Sequence, residues 1–396
     1  MIRIAYIVSH PIQYQAPLLR RIAIEQGLEL TVLFLSDFST REYRDSGFGQ
    51  AISWDVNLLD GYKSKVLDAL GNRDTLGFWT PLTTGVEREL RQGKYDAVWL
   101  HGYAHHAQLR ALAAAKRLGM KVLLRGETHD KSSDRSPLVS AVKRRILIGL
   151  FRRVDAFLAI GTANREYYLC HGVPADKVFM MPYAVDNVRF QAAATEASRL
   201  ELLAALGLQP DRPVILFASK LQRRKRPADL WEAYTRLSPN GVDEPSPYLI
   251  FAGEGEERAA LEAAVARRGW SSVRFVGFQN QTQLPAYYEA ADVLVLSSER
   301  EPWGLVVNEV MNASTAVIVS DQVGAAADLV TDGENGYVIS AGDVDALTDR
   351  LRRITSDPAL AKSMGEQSLR RISGWDFEAD VAGLLEALAG CGVGSH

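Results

Sequence analysis

Several features that would restrict the class of protein are scarce in this chain of 396 residues. It has two cysteines, Cys170 and Cys391, without metal-ligand spacing, which argues against a disulfide framework or a zinc site. The net charge of −3 provides no general attraction to nucleic acid. No apolar run reaches the roughly 18 residues that a membrane-spanning helix needs. The N-terminus does not resemble a signal peptide, because Arg3 and His10 interrupt a short apolar stretch. We therefore expect a cytoplasmic protein.

The chain does contain two series of short apolar runs that alternate with helical patterns. Parallel strands need helical crossovers, so each series predicts a doubly wound parallel sheet. The first series comprises Ile2–Val8, Leu28–Ser36, Asp96–Gly102, Lys121–Gly126 and Ala156–Gly161. The second comprises Pro213–Ser219, Tyr248–Gly253, Val273–Phe278, Asp292–Ser298 and Ala316–Asp321.

A connector with a proline, MPYAVDNVRF, separates the two series. We predict a Rossmann-like N-terminal domain over residues 1–183 and a Rossmann-like C-terminal domain over residues 184–374, facing each other across a cleft. A final helix in residues 375–396 is predicted to pack back towards the N-terminal domain. Doubly wound sheets bind ligands beyond the carboxyl ends of their strands, where the strand order reverses. The predicted site therefore lies in the cleft.

The segment REPWGLVVNEVMNAS carries the most chemical information and places Glu301 and Glu309 eight positions apart. We expect Glu301 in the loop after a strand and Glu309 about two turns into the next helix. The backbone N–H groups of Gly304, Leu305 and Val306 would then form an anion site suited to a diphosphate. Carboxylates beside it would accept hydrogen bonds from hydroxyl groups. The spacing alone fits equally well a pair without a role in binding, which consists of an acid at a helix N-terminus and an ordinary surface acid.

This segment resembles the Glu-x7-Glu motif of retaining glycosyltransferases of family 4, which have the GT-B fold. FASKLQRRKRP resembles the family's phosphate-binding signature, usually Gly-Arg-Leu-x-x-x-Lys-Gly, with Lys220 at the Arg position and Lys225 at the Lys position. AGEGEER resembles the glycine-bracketed turn after the next strand, and GFQNQTQLPAYYEAADVLVLSS the segment beside the nucleobase. MPYAVDNVRF resembles the interdomain signature. The resemblance covers nearly all of residues 181–390.

The resemblance implies a role for each matched residue. Glu309 would bind the ribose hydroxyls, Glu301 the hydroxyls of the donor sugar, and Phe278 would lie beside the base. Lys220 and Lys225 would neutralise the diphosphate and the charge that grows on it as the glycosidic bond breaks. Neither a metal nor a cofactor is then expected besides the nucleotide-sugar co-substrate. Lys220 replaces the usual arginine and would act as a point charge rather than a planar fork. The alternative for both lysines is a solvated basic run.

The N-terminal half carries polar residues where its predicted strands end. Because these ends face the cleft, the candidates there for binding acceptor or phosphate are His10, Gln13, His101 and Arg125. Many family members have a histidine after the corresponding later strand that hydrogen-bonds the transferred sugar. Alignment by strand end puts Glu127 at that position and His129 two residues further, and both remain catalytic candidates.

The stretch KRRILIGLFRR, with Val139 and Val142 before it, has an apolar stripe flanked by cations. Such a stripe suits peripheral contact with an anionic membrane, here its inner face. It is also typical of a helix packed on a sheet with a basic outer face. The sequence leaves both interpretations open.

The predicted function is a retaining, metal-independent hexosyl- or N-acetylhexosaminyltransferase of polysaccharide or glycoconjugate biosynthesis. A UDP-sugar is the family's commonest donor, and the acceptor can be a glycan, a lipid-linked sugar or a small molecule. Alternatives are a glycosyltransferase of natural-product synthesis, a GT-B phosphorylase or epimerase, and a non-catalytic sugar-nucleotide-binding subunit.

Overall fold

The computed structural model describes residues 1–45, 47–128, 137–237 and 246–394. The chain divides into two compact units. Unit 1 comprises Met1–Tyr43, Val56–Tyr183 and Phe377–His396, and unit 2 comprises Arg44–Asp55 and Ala184–Asp376.

Strands and helices alternate along most of the described chain. The strands are β1 (Ile2–Val8), β2 (Leu28–Phe34), β3 (Tyr43–Asp45), β4 (Gln50–Ile52), β5 (Lys63–Val66), β6 (Ala69–Leu70), β7 (Leu82–Thr83), β8 (Ala97–His101), β9 (Lys121–Arg125), β10 (Ala156–Ala159), β11 (Val178–Met180), β12 (Val214–Ala218), β13 (Tyr248–Ala252), β14 (Val273–Gly277), β15 (Val293–Leu296), β16 (Ala316–Ser320) and β17 (Gly336–Ile339). The α-helices are α1 (Gln15–Ala23), α2 (Val86–Gly93), α3 (His106–Arg117), α4 (Pro137–Phe151), α5 (Thr162–Cys170), α6 (Asn187–Ala193), α7 (Glu196–Leu206), α8 (Pro227–Leu237), α9 (Arg258–Arg268), α10 (Leu284–Ala290), α11 (Leu305–Met311), α12 (Ala326–Leu329), α13 (Val344–Ser356), α14 (Pro358–Ile372) and α15 (Phe377–Gly390).

The main sheet of unit 1 has the strand order β11-β10-β9-β8-β1-β2-β5, and all its pairs are parallel. Alternate side chains of β1 belong to two different hydrophobic cores, one on each face of the sheet. Ala5 and Ile7 pack with α2, α3, α4 and α5, whereas Tyr6 packs with α1 and α15. The strand order reverses between β1 and β8, so the loops after these two strands meet at the carboxyl edge of the sheet.

The sheet of unit 2 repeats this plan, with the order β14-β13-β12-β15-β16-β17 and parallel pairs throughout. Its order reverses between β12 and β15. The loops that follow these strands contain Lys220 with Lys225 and Glu301, respectively. The strand order therefore brings together the loops that the sequence motifs occupy.

A short part of the N-terminal half belongs to unit 2. This part, Arg44–Asp55, is called the exchanged segment below; its Ser46 lies outside the described residues. The backbone carbonyl of Ser53 accepts a hydrogen bond from Asn280 Nδ2 at 2.6 Å. The Asp55 carboxylate accepts one from the backbone N–H of Thr282 at 3.1 Å. The prediction assigned all of residues 1–183 to the N-terminal domain and did not anticipate that Arg44–Asp55 belongs to unit 2.

The prediction of two doubly wound sheets is confirmed. The predicted strands match the observed ones to within two residues at each end, as for Lys121–Gly126 against β9. The edge strands β5, β11 and β17 were not among the predicted strands. Within the described ranges, no helix combines the length and the apolar character needed to cross a membrane.

Candidate functional site

Two glycines fix the loop after β12, which carries Lys220 and Lys225. A Cβ atom at Gly253 would lie 2.0 Å from the Ser219 carbonyl oxygen, and one at Gly255 would lie 2.4 Å from that of Leu221. Both glycines have φ near +154°, where side chains are rarely tolerated. The turn after β13 can therefore press directly against the lysine loop, which gives a physical reason for glycine at both positions of AGEGEER.

Lys225 and Glu301 meet where the strand order of unit 2 reverses. Both side chains are buried, and the Lys225 ammonium contacts the Glu301 carboxylate. Arg224 lies 4.0 Å from the same carboxylate. Burial and the nearby cations Arg224 and Lys220 lower the pKa of Lys225 to about 7, while the Glu301 carboxylate favours its charged form. The reversal point thus brings an amine that is partly charged near neutral pH into contact with a carboxylate that accepts hydrogen bonds.

Gly304 permits the tight turn between Glu301 and α11. Its φ is +100°, and an added Cβ atom would lie 2.9 Å from the Leu296 side chain. Helix α11 begins at Leu305, and Glu309 is its fifth residue. Glu309 therefore lies little more than one turn into the helix, and the expectation of about two turns was wrong.

Glu309 is buried beneath helix α10. The Tyr288 hydroxyl donates a hydrogen bond to its carboxylate at 2.5 Å. Burial raises the pKa of Glu309 to about 7, against the opposing effects of Tyr288, Arg189 and Gln281. The Arg189 guanidinium in turn donates to Gln281 Oε1 at 2.8 Å. Tyr288, Gln281 and Arg189 thus fix a carboxyl group that is partly protonated near neutral pH.

Lys220 and Phe278 both contact the exchanged segment. Lys220 Nζ donates a hydrogen bond to Asp45 Oδ1 at 2.7 Å and lies 4.4 Å from the centroid of the Phe48 ring. The Phe278 ring packs edge-on against Phe48, with 4.8 Å between their centroids. The phosphate and base positions implied by the resemblance are therefore in contact with one polypeptide segment.

In unit 1, a polar network joins the ends of β8 and β9. His101 Nε2 lies 3.3 Å from Glu127 Oε1 and 3.1 Å from Gln15 Nε2. The Tyr183 hydroxyl donates to Glu127 Oε1 at 2.6 Å. Burial raises the pKa of Glu127, but hydrogen bonds from His101 and Tyr183 and the Arg125 charge outweigh it and lower the pKa. The structure thus brings together two of the predicted residues, His101 and Glu127, in a network that holds the carboxylate ionised.

The other predicted residues of unit 1 lie in different environments. His10 stacks on Phe38 with 4.7 Å between ring centroids, and burial with nearby His101 and His105 lowers its pKa to about 4. Gln13 lies half-buried just before α1. His129 lies outside the described residues.

The Arg125 guanidinium forms hydrogen bonds within unit 1. Its Nη2 atom donates to the carbonyls of Met181 at 3.2 Å and Pro182 at 2.9 Å, and to Asp380 Oδ1 at 3.1 Å. Its side chain is buried. These contacts argue against the predicted role of Arg125 as a ligand for acceptor or phosphate.

Helix α4 has apolar side chains both in the core and on the surface. Leu147 and Phe151 are buried in the core, and Leu150 packs against it. Val142 is 53% exposed and Ile146 is 67% exposed. Part of the apolar stripe therefore faces outward, beside the half-buried Lys143 and the exposed cations Arg144 and Arg145.

Sequence reasoning missed residues that act through the predicted ones. Asp45, Tyr183 and Gln15 each contact a predicted residue. Tyr183 stands in the recognised stretch MPYAVDNVRF, which gave it no role, whereas Asp45 and Gln15 lie in no recognised motif. Tyr288 was within a recognised stretch, GFQNQTQLPAYYEAADVLVLSS, and only its contact with Glu309 was unknown. Asp45 is 175 positions from Lys220, and no local pattern connects them.

Comparisons with known proteins agree with the resemblance. The model of the family described as glycosyl transferases group 1 matches residues 198–371, and that of a glycosyl transferase 4-like domain matches residues 15–184. An uncharacterized glycosyltransferase of Methanocaldococcus jannaschii is 30% identical over 269 residues, covering 67% of each chain. The alpha-D-kanosaminyltransferase of Streptomyces kanamyceticus is 29% identical over 197 residues, covering 50% of each chain. The chain spans about half the length of most of the curated relatives it matches.

A solved structure extends the likeness to the whole fold. HepE of Anabaena in complex with UDP superimposes with a TM-score of 0.74 at 18% identity, over 98% of this chain and 100% of the other. The chain belongs to the glycosyl transferases group 1 family and has the GT-B fold. The predicted family and fold class are confirmed.

Proposed function

We propose that the protein transfers a sugar from a nucleoside-diphosphate sugar to an acceptor hydroxyl. The observation that carries this proposal is the contact between buried Lys225 and Glu301 at the reversal point of unit 2. A cation there suits a diphosphate, and the adjacent carboxylate suits sugar hydroxyls. Family membership supports the reaction class. HepE, whose fold is similar, has been crystallised with UDP and with UDP-glucose, and a UDP-sugar is therefore our first choice of donor.

We propose transfer with retention and without a metal. The bond between sugar C1 and the diphosphate oxygen breaks, and the acceptor oxygen forms its bond to C1 on the same face. The acceptor proton passes to an oxygen of the leaving diphosphate, so no enzyme nucleophile is required. Lys220 and Lys225 stabilise the charge that develops on that diphosphate, a contribution that is usually large. The amides of Gly304, Leu305 and Val306 are proposed to bind the same group.

The remaining residues bind and orient the two substrates. Glu309 takes the ribose hydroxyls and Phe278 lies against the base. In unit 1, Glu127 is the proposed ligand for the transferred sugar or the acceptor hydroxyl, held by His101 and Tyr183. The proposed acceptor is a hydroxyl group of a glycan, a lipid-linked sugar or a small molecule.

The test is hydrolysis of donors in the absence of acceptor. The protein is incubated with UDP-, GDP- and dTDP-sugars, and the release of nucleoside diphosphate is followed. We expect release from one donor class and loss of release in Glu309→Ala. A protein that binds one nucleotide but releases none, with or without candidate acceptors, would instead be a non-catalytic sugar-nucleotide-binding subunit.

We also propose peripheral contact of α4 with an anionic membrane surface. The observation that favours it is the outward exposure of Val142 and Ile146 beside Lys143, Arg144 and Arg145. Apolar side chains can insert at the interface while the cations attract anionic headgroups. Such contact would give the enzyme access to a lipid-linked acceptor.

A further inference from the structure

A carboxylate of the exchanged segment forms an ion pair with Lys220. Asp45 Oδ1 accepts a hydrogen bond from Lys220 Nζ at 2.7 Å, and the Asp45 and Lys220 side chains are 19% and 29% exposed. The same oxygen accepts from the backbone N–H groups of Gly47 at 2.7 Å and Phe48 at 3.0 Å. The carboxylate is thus oriented by its own turn and does not depend on Lys220 for its position.

Two further residues of the segment, Gly47 and Phe48, lie against the end of the Lys220 side chain. A Cβ atom on Gly47 would lie 2.6 Å from Lys220 Nζ, so only glycine permits this approach without a shift of the lysine. The Phe48 ring lies against the ammonium and against Phe278. Trp54, near the other end of the segment, lies 6.0 Å from Phe278 between ring centroids. The segment therefore covers both residues that the proposed function assigns to the donor's phosphate and base.

The contact with Asp45 opposes the binding of a diphosphate at Lys220. A single ammonium cannot give its full attraction to a diphosphate while it donates to a carboxylate, and the carboxylate repels a phosphate brought beside it. Burial raises the pKa of Asp45, but the hydrogen bonds from Lys220, Phe48 and Gly47 lower it below its ordinary value. Protonation near neutral pH therefore does not relieve this competition.

We propose that Asp45 is a carboxylate gate on the donor site, which occupies Lys220 in the absence of donor and is displaced by the donor's diphosphate. The gate sets the affinity for the nucleoside diphosphate and leaves that for the uncharged nucleoside unchanged. It rests on the proposed function, because it requires that Lys220 binds a diphosphate. The exchanged segment is thereby a part of the donor site that comes from the N-terminal half of the chain.

The test is calorimetric titration of the full chain with UDP, GDP, dTDP and the matching nucleosides. Asp45→Asn removes the charge, while its amide oxygen can still accept from the N–H groups of residues 47 and 48. We expect this variant to bind the preferred nucleoside diphosphate on the order of five-fold more tightly, because the competing negative charge is gone. The gain is modest because both side chains are partly exposed and solvent screens their interaction. Its affinity for the nucleoside should stay within about two-fold of that of the wild type.

Glu42→Gln is the matched control, since it removes an equal charge from an exposed side chain three positions earlier. It should change neither affinity by more than about two-fold. Equal or weaker binding of the diphosphate by Asp45→Asn, with normal binding by the wild type, would overturn the gate and leave the proposed function intact. Failure of every protein to bind any nucleotide would overturn the proposed function and the gate together.

Discussion

At the scale of single residues, Glu309 makes stability depend on pH. Its pKa in the folded protein is about 7, raised by burial, whereas an unfolded glutamate has a pKa near 4.5. Between these values the unfolded chain loses the proton that the folded protein keeps. The stabilising contribution of the neutral carboxyl is therefore complete below about pH 4.5 and is lost as the pH rises through 7.

Glu309→Gln should remove this dependence, because glutamine stays neutral and can still accept from Tyr288. We expect the free energy of unfolding of the wild type to fall by up to about 3 kcal/mol relative to this variant between pH 4.5 and 8. Urea denaturation across this range measures the difference. Parallel pH profiles for the two proteins would show that Glu309 titrates as an ordinary exposed carboxyl.

The sequence predicts the identity of the site residues better than their contacts. Glu301, Glu309, Lys220 and Lys225 stand in recognisable motifs because their chemistry depends on residue type and local spacing. The contact of Lys225 with Glu301 arises from the strand order of unit 2, and that of Lys220 with Asp45 from the exchange. Neither is encoded in a local pattern, so neither could be predicted.

At the scale of elements, a buried ion pair joins helix α15 to strand β9 of the same unit. Asp380 is fully buried and accepts from Arg125, whose guanidinium is itself enclosed. Removing one partner of such a pair leaves an uncompensated charge in the core. Asp380→Ala should therefore lower the free energy of unfolding by about 3–5 kcal/mol, measured by urea denaturation.

The control for Asp380→Ala lies two residues earlier on the same helix. Glu378 pairs with Arg21, but its side chain is 66% exposed. Glu378→Ala should cost less than about 1 kcal/mol. Similar small costs for both variants would mean that the Arg125–Asp380 pair does not hold the helix.

Helix α4 provides a second prediction at this scale. The double change Val142→Ser and Ile146→Ser should weaken flotation with vesicles rich in phosphatidylserine, because it removes the apolar side chains that would insert. Val188→Ser, which replaces a valine that is 79% exposed on α6, should leave flotation unchanged. If the wild type does not float with these vesicles, or if all three proteins float equally, α4 is not a membrane-binding surface.

Strands with long continuous apolar runs could be predicted from the sequence, whereas edge strands that are polar, such as β5, or only three residues long, such as β11, could not. Strands such as β1 and β12 are buried on both faces, so their composition identifies them. Strand β5 reads Lys-Ser-Lys-Val and is partly exposed along its length. It is a strand because it pairs with β2, and tertiary pairing of this kind leaves no apolar pattern.

At the scale of the whole molecule, the chain folds into two units with similar sheets, and neither unit is continuous in sequence. Unit 1 takes α15 from the chain end, and unit 2 takes the exchanged segment from the N-terminal half. A final helix that packs back towards the N-terminal domain was predicted. The exchange was not, because residues 44–55 carry no boundary signal, and their place is set by contacts with residues such as Asn280 and Thr282.

The central claim is that buried Lys225 stabilises the diphosphate of a nucleotide-sugar donor. Its most direct test is the kcat/KM of Lys225→Met on the donor that the hydrolysis panel selects, with Arg223→Met, an exposed cation of the same turn, as control. We predict a loss of about 100-fold or more for Lys225→Met, which corresponds to about 3 kcal/mol, and less than about two-fold for the control. Thermal melting shows whether both variants are folded. Near-wild-type turnover by folded Lys225→Met would contradict the account.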